Sequence, residues 1–328
     1  MKVSVVVPVY NEEGNLPELI QRLTAVMDAL GRSYELVFVD DGSRDRSLEI
    51  LEAAARERAG RMRVLELARN FGQHQAILAA FENVTGDVIV TLDADLQNPP
   101  EEIPKLLAKF DEGYDVVGGV RQNRQDSFLR KAASRLVNRA TTLITRMRLT
   151  DFGCMLRAYS REVVEEINRC DESSTFIPAL AQSFARRPTE VPVAHAPRLH
   201  GESAYSLYRL IRLNFDLMTG FSLVPLQVFG LLGTLVAVGG VGFGLFLFVR
   251  RLFVGAEVEG VFTLFAILFT LLGVAMAGLG LVGEYVGRIY QQVRGRPRFR
   301  IRRVYGLGAG EAPSPDSRAM ARGPRPSA

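Results

Sequence analysis

The sequence predicts an α/β domain followed by two membrane-spanning helices. Three observations carry that expectation. Short β-branched runs alternate with amphipathic helical patterns through residues 1–120. Two later runs, 224–249 and 261–283, contain no charged side chain. Polar and mostly acidic clusters interrupt the first region where its strands should end.

The elements follow in order. Residues 3–9 are a valine-rich strand, and a 3.6-residue apolar period over 16–30 stops at Gly31. Residues 34–39 form a second strand, ended by Asp40-Asp41-Gly42-Ser43, where Ser43 is placed to cap a helix over 44–58. A third strand at 64–67 precedes a helix over 73–83 closed by Gly86, and 88–92 is the fourth strand. Pro99-Pro100-Glu101-Glu102 puts proline and acid into the first turn of another helix, before a fifth strand at 115–120. Such alternation implies a mainly parallel sheet flanked by helices. Ligands bind such sheets beyond the carboxyl ends of the strands. Tyr10-Asn11-Glu12, Asp40-Asp41, Asn70, Asp93-Ala94-Asp95 and Arg121 stand there.

Over 128–147, Phe128, Ala132, Leu136, Ala140, Leu143 and Met147 share one helical face, interrupted by Arg130, Lys131, Arg135 and Arg139. This pattern fits either a helix packed on its own domain or a basic amphipathic helix at a membrane surface. The stretch 205–218, with Arg209 and Arg212, has the same character beside the first uncharged run, which favours the interfacial reading. Each uncharged run can cross a hydrocarbon core of ~30 Å at ~1.5 Å per residue. Gly240 and Gly244, and Gly273, Ala277 and Gly280, would permit close helix contact between the spans or between subunits.

Basic residues set the expected orientation. Arg250 and Arg251 share their short loop with Glu257 and Glu259. Arg198, Arg209 and Arg212 precede the first span, and Arg288, Arg294, Arg296, Arg298, Arg300, Arg302 and Arg303 lie at or after the end of the second. Positive-inside bias therefore places both termini in the cytoplasm and the loop outside. The chain opens directly into a strand, so no signal peptide is expected. Cys154 and Cys170 lack metal-ligand spacing and read as reduced thiols. The expected domains are 1–203, an interfacial helix at 204–222, a two-helix membrane domain at 223–285, and a basic cytoplasmic segment with a disordered tail at 286–328.

Two carboxylates at i and i+2 leaving a strand, Asp93 and Asp95, can approach one hard cation from the same edge. Gln97 adds a carbonyl oxygen at the same step. Mg²⁺ or Mn²⁺ held there would neutralise charge on a departing diphosphate. Asp41 can accept hydrogen bonds from a ribose or base, or simply serve the turn. No Gly-x-Gly-x-x-Gly follows a strand, no Walker loop is present, and three histidines do not suggest a His-rich metal site. The net charge of +4 is concentrated beside apolar segments, which points to anionic membrane and not to nucleic acid.

Four features together resemble the polyprenyl-phosphate glycosyltransferases of family 2: Val-Val-Pro-Val-Tyr-Asn-Glu at 6–12, Val-Asp-Asp-Gly-Ser at 39–43, Thr-Leu-Asp-Ala-Asp-Leu-Gln at 91–97, and the two C-terminal spans. A closer likeness runs over nearly the whole chain, residues 2 to about 300, and is carried by Asn70 to His74, Asp93 to Pro104, Val120 to Ser127, Asp151 to Tyr159 and Ser174 to Pro178. These are similar to a bacterial branch of that family whose donor is a UDP-linked 4-deoxy-4-formamido-L-arabinose and whose acceptor is undecaprenyl phosphate. The resemblance implies a GT-A (Rossmann-like) domain, inverting metal-dependent transfer at the cytoplasmic face of the bacterial inner membrane, and a homo-oligomer, by likeness a tetramer. It also implies a role in lipid A modification and resistance to polymyxin and cationic peptides. A glucose or mannose donor on a polyprenyl phosphate stays open as the alternative.

By the same resemblance, Pro8, Tyr10, Glu12, Val39, Asp41 and Asn70 belong to nucleotide-sugar binding. Asp93, Ala94, Asp95 and Gln97 match the diphosphate and metal site, with Asp95 and Gln97 the direct ligands. Arg121 matches a basic residue near the phosphates, and Asp151 a carboxylate that positions sugar or nucleophile. Arg198 and Ser203, in Arg-x-x-Gly-x-Ser, would face the acceptor phosphate. The family typically has Lys where this chain has Ala204, so Arg198, Arg130 or Lys131 is expected to hold more of that phosphate.

Overall fold

The computed structural model describes residues 1–122, 151, 153–170, 176–196, 223–254, 261–294 and 297–306. It falls into two compact units. Among the described residues, one comprises 1–122, 151–196 and 297–306 with residues 152 and 171–175 excepted; the other holds the two long helices. The basic segment 128–147, the segment 204–222 and the tail beyond 306 lie outside the described residues.

The first unit is built on one eight-stranded sheet. Its strands are β1 Val3–Val9, β2 Tyr34–Asp40, β3 Met62–Leu67, β4 Val88–Thr91, β5 Val116–Arg121, β6 Arg157–Ser160, β7 Pro188–Val193 and β8 Ile301–Tyr305, in the order β7-β5-β6-β4-β1-β2-β3-β8. Pairings β1–β2, β1–β4, β2–β3 and β5–β7 are parallel. Strand β6 runs antiparallel between β4 and β5, and β8 runs antiparallel along β3. The sheet is therefore mixed rather than wholly parallel, yet β1 to β5 and β7 all point their carboxyl ends to one edge.

The helices are α1 Leu16–Ala29, α2 Ser47–Glu57, α3 Gln73–Phe81, α4 Ile103–Asp111, α5 Arg161–Arg169 and α6 Ile177–Phe184. Leu16, Leu19, Ile20, Leu23 and Met27 give α1 its buried stripe, at the i, i+3, i+4, i+7 spacing of a core-facing helix. They pack with Val3, Val5, Val7, Val9, Leu36 and Phe38 in the core. Gly31 ends the helix at φ +63, which a side-chain-bearing residue adopts with strain.

Ser43 does not cap α2, as the sequence suggested; that helix starts at Ser47. Its hydroxyl accepts the Asn11 N–H at 3.0 Å, while Asn11 Oδ1 accepts the Arg44 N–H at 2.8 Å. The residue thus ties the β1 and β2 exits together, because the two parallel strands deliver their loops side by side.

The second unit comprises α7 Val224–Val254 and α8 Val261–Val293. Both are long and apolar enough to cross a membrane, with mean hydropathies of 2.2 for Leu226–Arg250 and 1.4 for Thr270–Gln291. Their leucines, valines and phenylalanines are mostly exposed, as a lipid-facing surface requires. A side chain added at Gly240, Gly244, Gly273 or Gly280 would meet nothing within 4 Å. The close approach within this chain is instead at Gly278, where an added Cβ would lie 2.3 Å from the Phe229 ring.

Candidate active site

Along the carboxyl edge of the sheet stand Tyr10 and Glu12 after β1, Asp41 after β2, Asn70 after β3, Asp93 and Asp95 after β4, Arg121 at the end of β5, and His195 after β7. The rule that ligands bind there gathers six separate strand exits into one site.

The exit of β4 has an alternating design. Ala94, Leu96 and Asn98 are buried, whereas Asp93, Asp95 and Gln97 remain partly exposed. Leu96 reaches this at φ +59, a strained backbone for a bulky residue, and its side chain is driven into the core. The intervening apolar residues thus anchor the segment, and every second side chain is presented at the open edge. Asp93 accepts the Gln73 amide at 2.5 Å and the Asn98 amide at 3.4 Å. Burial, and then the nearby charge of Asp95, push its pKa up to about 7. The Gln97 N–H closes on Asp95 Oδ1 at 3.2 Å.

Asp41 is buried and both carboxylate oxygens are engaged, accepting the Phe71 N–H at 2.7 Å and the Gly72 N–H at 2.8 Å. It straps down the chain that leads from Asn70 into α3, and α3 in turn brings Gln73 to Asp93. Burial outweighs those two hydrogen bonds and raises its pKa. Gly42, at φ +71, lets this strap form: a Cβ there would lie 2.7 Å from the backbone at Arg69 and Asn70. Tyr10 and Asn70 are exposed, and Pro8 and Glu12 are partly exposed. Glu12 accepts from the Asn15 amide at 2.6 Å. The Val39 side chain is fully buried and Ala94 nearly so, so neither turns a side chain toward the open edge.

Arg121 and Asp151 form a two-pronged ion pair, Nε to Oδ2 at 2.7 Å and Nη2 to Oδ1 at 2.8 Å. Their side chains are 16% and 5% exposed, so water screens the pair little. Burial works against the Arg121 charge, but the Asp151 carboxylate more than offsets it and raises its pKa. Asp151 Oδ1 also accepts the Gly153 N–H at 3.0 Å. Asp151 therefore holds Arg121 and also closes its local turn.

His195 was not singled out from the sequence. The β7 exit brings it into the field of Arg121, Asp95 and Asp151, and burial followed by Arg121 lowers its pKa. The adjoining Ala196 N–H donates to the Gln97 carbonyl at 2.9 Å, so the β7 exit and the acidic segment brace each other. The strand-end rule would have found His195 had β7 been recognised. Its Pro188-Thr-Glu-Val-Pro-Val sequence hides the strand, since two prolines argue against a ladder. Arg130, Lys131, Arg198 and Ser203 lie outside the described residues.

Among the described residues no cluster of three His, Cys, Asp or Glu could by itself hold a metal. The donors at the β4 exit still fit a hard cation. Three oxygen-bearing side chains share one open edge, and Asp93 is held far above an ordinary aspartate by burial first and then by repulsion from the Asp95 carboxylate. A cation completed by ligand oxygens would relieve that repulsion. Cys154 and Cys170 form no disulfide.

Residues 4–168 match the model of glycosyl transferase family 2. The chain is 53% identical over 305 residues to undecaprenyl-phosphate 4-deoxy-4-formamido-L-arabinose transferases from Salmonella paratyphi A and Salmonella dublin, covering 92% of this chain and 93% of each relative. In structure it resembles Mycobacterium tuberculosis glucosyl-3-phosphoglycerate synthase in complex with Mn²⁺, UDP and phosphoglyceric acid. The TM-score is 0.50 at 20% identity, covering 67% of this chain and 76% of that one, a likeness of fold.

Proposed function

We propose, from the premise that this chain belongs to glycosyl transferase family 2 and carries its GT-A fold, that it transfers 4-deoxy-4-formamido-L-arabinose from a UDP conjugate to undecaprenyl phosphate. The observation that carries the proposal is the extent of the match. The 53% identity runs across 92% of the chain, too far to be confined to the catalytic unit, and so takes in most of the membrane-spanning part. The same match favours this sugar over a glucose or mannose donor.

The chemistry asked of the site is a single displacement. An oxygen of the acceptor phosphate bonds to the anomeric carbon, and the bond from that carbon to UDP breaks, its electron pair leaving on the β-phosphate. The acceptor oxygen is already anionic, so no strong base is needed. One displacement inverts the anomeric centre. Arg121, aimed by Asp151, supplies positive charge for the leaving diphosphate. Asp95 and Gln97, with Asp93 beside them, would hold Mg²⁺ or Mn²⁺, which supplies further neutralisation of that diphosphate. Tyr10, Glu12 and Asn70 border the nucleotide, which lies over the β1, β2 and β3 exits. Arg198, Ser203, Arg130 and Lys131 are assigned to the acceptor phosphate.

The two spans anchor the chain in the bacterial inner membrane, with the catalytic unit and both termini on the cytoplasmic side by the distribution of arginines. The assembly is a homo-oligomer. The test is glycolipid synthesis by the purified full chain with Mn²⁺ or Mg²⁺, undecaprenyl phosphate, and a panel of the formamido-arabinose UDP donor, UDP-glucose and GDP-mannose. Product is expected with the first donor. If no UDP-sugar gives glycolipid while the protein binds UDP, the proposal fails.

A further inference from the structure

We infer that Arg157, a buried residue that lies behind the site and meets no ligand, is a positioning residue for the transfer reaction. It rigidifies the segment from which Asp151 aims Arg121. The inference rests on the function proposed above for its assay, and on geometry for its content.

Arg157 opens β6 and is 0% exposed. Its ladder partners are Thr91 on β4 and Gly118 on β5. It therefore lies between the two strands whose exits carry Asp93 and Arg121. Its guanidinium spans two backbone carbonyls of the segment preceding it: Nε donates to the Cys154 oxygen at 2.8 Å and Nη2 to the Asp151 oxygen at 2.6 Å. The relay is short. Arg157 grips the Asp151 main chain, the Asp151 carboxylate grips Arg121 with two bonds, and the Gly153 N–H steadies one of its oxygens.

Two glycines make room for the two guanidiniums. A Cβ at Gly118 would lie 2.9 Å from Arg157 Nη1, and a Cβ at Gly153 would lie 2.7 Å from Arg121 Nη2. Seating a guanidinium inside a sheet is costly, and an apolar side chain of similar size would fill a sheet interior as well or better. The planar fork of arginine reaches two acceptors at fixed spacing, which a lysine ammonium on its flexible stem does not reproduce. The arrangement is what a device for fixing the Asp151 segment requires.

The test is a double-mutant cycle on the full chain, with Arg157→Lys and Arg121→Ala singly and together. Turnover of the formamido-arabinose donor is read as kcat and KM, with thermal unfolding measured in parallel. Arg157→Lys is expected to lower kcat/KM by about 10- to 100-fold, since misplacing a group by ~1 Å has effects of that order. In the Arg121→Ala background the same change should cost at most about 2-fold, because its effect runs through Arg121. Equal losses in both backgrounds would overturn the inference, as would full activity of Arg157→Lys. If Arg157→Lys does not fold, Gly118→Ala, which crowds Nη1, takes its place in the cycle with the same expectations. If wild-type protein fails to use the donor, the functional proposal falls by itself. The cycle is then read on UDP affinity with Mn²⁺ by calorimetry, where the same non-additivity is expected and additivity refutes it.

Discussion

Asp41→Asn separates two roles that the sequence alone could not separate. As a ligand contact only, Asp41 would affect donor binding and leave the free protein as stable as before. The structure makes it the acceptor for two backbone N–H groups, from Phe71 at 2.7 Å and Gly72 at 2.8 Å, in a buried position. Asparagine fits the space but turns one acceptor oxygen into an NH₂ that faces a donor. One charge-assisted bond is lost, at ~1.5–3 kcal/mol, and a buried N–H is left unmet, at ~1–3 kcal/mol. Removing a charge from a buried position returns part of that, which agrees with burial raising the Asp41 pKa. A net loss of about 2–3 kcal/mol remains, or about 4–12 °C in Tm for a unit of this size. The measurement is thermal unfolding of purified protein without nucleotide. A Tm within about 1 °C of wild type, coupled with a raised donor KM, would refute the strap and leave Asp41 as a ligand contact only.

His74, packed edge-on to Phe176 at 5.2 Å between ring centroids, is pushed down to about 4 by burial, so it is neutral in the folded state at pH 7. Its folded pKa lies below the unfolded value, so stability is complete above about pH 6.5 and falls toward pH 4, by up to ~1.4 kcal/mol per pH unit. Tm measured from pH 7.5 to 5 should fall less steeply for His74→Gln than for wild type, and parallel profiles would remove His74 from that role. Gly278→Leu puts side-chain atoms into the Phe229 ring, where even a Cβ lies at 2.3 Å. It should destabilise the helix pair by ~1–3 kcal/mol, with recovery in the Phe229→Ala double variant; detergent unfolding that shows no loss counts against the contact. A chain ending at residue 300 lacks β8, so the buried Glu66 loses Arg302 at 3.0 Å and the Tyr305 hydroxyl at 2.9 Å. Two bonds to a buried carboxylate are worth roughly 3 kcal/mol together, and an unchanged Tm of the catalytic unit would show that β8 does not stabilise the sheet.

The first half of the catalytic unit was legible because its signals are local. Valine runs marked β1 and β2, the 3.6-residue period marked α1, and all three fall within a residue or two of the expected bounds. The exits of β1 to β5, which border the candidate site, were legible as clusters of polar residues at strand ends. Strand β6 was missed because it begins with a buried arginine, β7 because prolines sit in it, and β8 because two adjacent arginines interrupt its apolar residues. None of these three carries an alternating apolar pattern of its own.

The sequence by itself determined the order of strands and helices over residues 1–121, most of the side chains that leave the sheet at its carboxyl edge there, and that two long segments need an apolar surrounding. It also determined the family, through short motifs of contiguous residues, several of which straddle one strand end and the loop beside it. Only the tertiary structure decided which groups meet. Arg121 finds Asp151 across 30 positions, Asp41 finds Gly72 across 31, and Glu66 finds Arg302 across 236. It alone placed His195 beside the acids and aimed Ser43 at Asn11 rather than at a helix. The physical reason is that periodicity encodes which face of an element is buried, whereas pairing across a sheet depends on strand order and direction. Those are fixed by the packing of the whole core and leave no mark on any one segment.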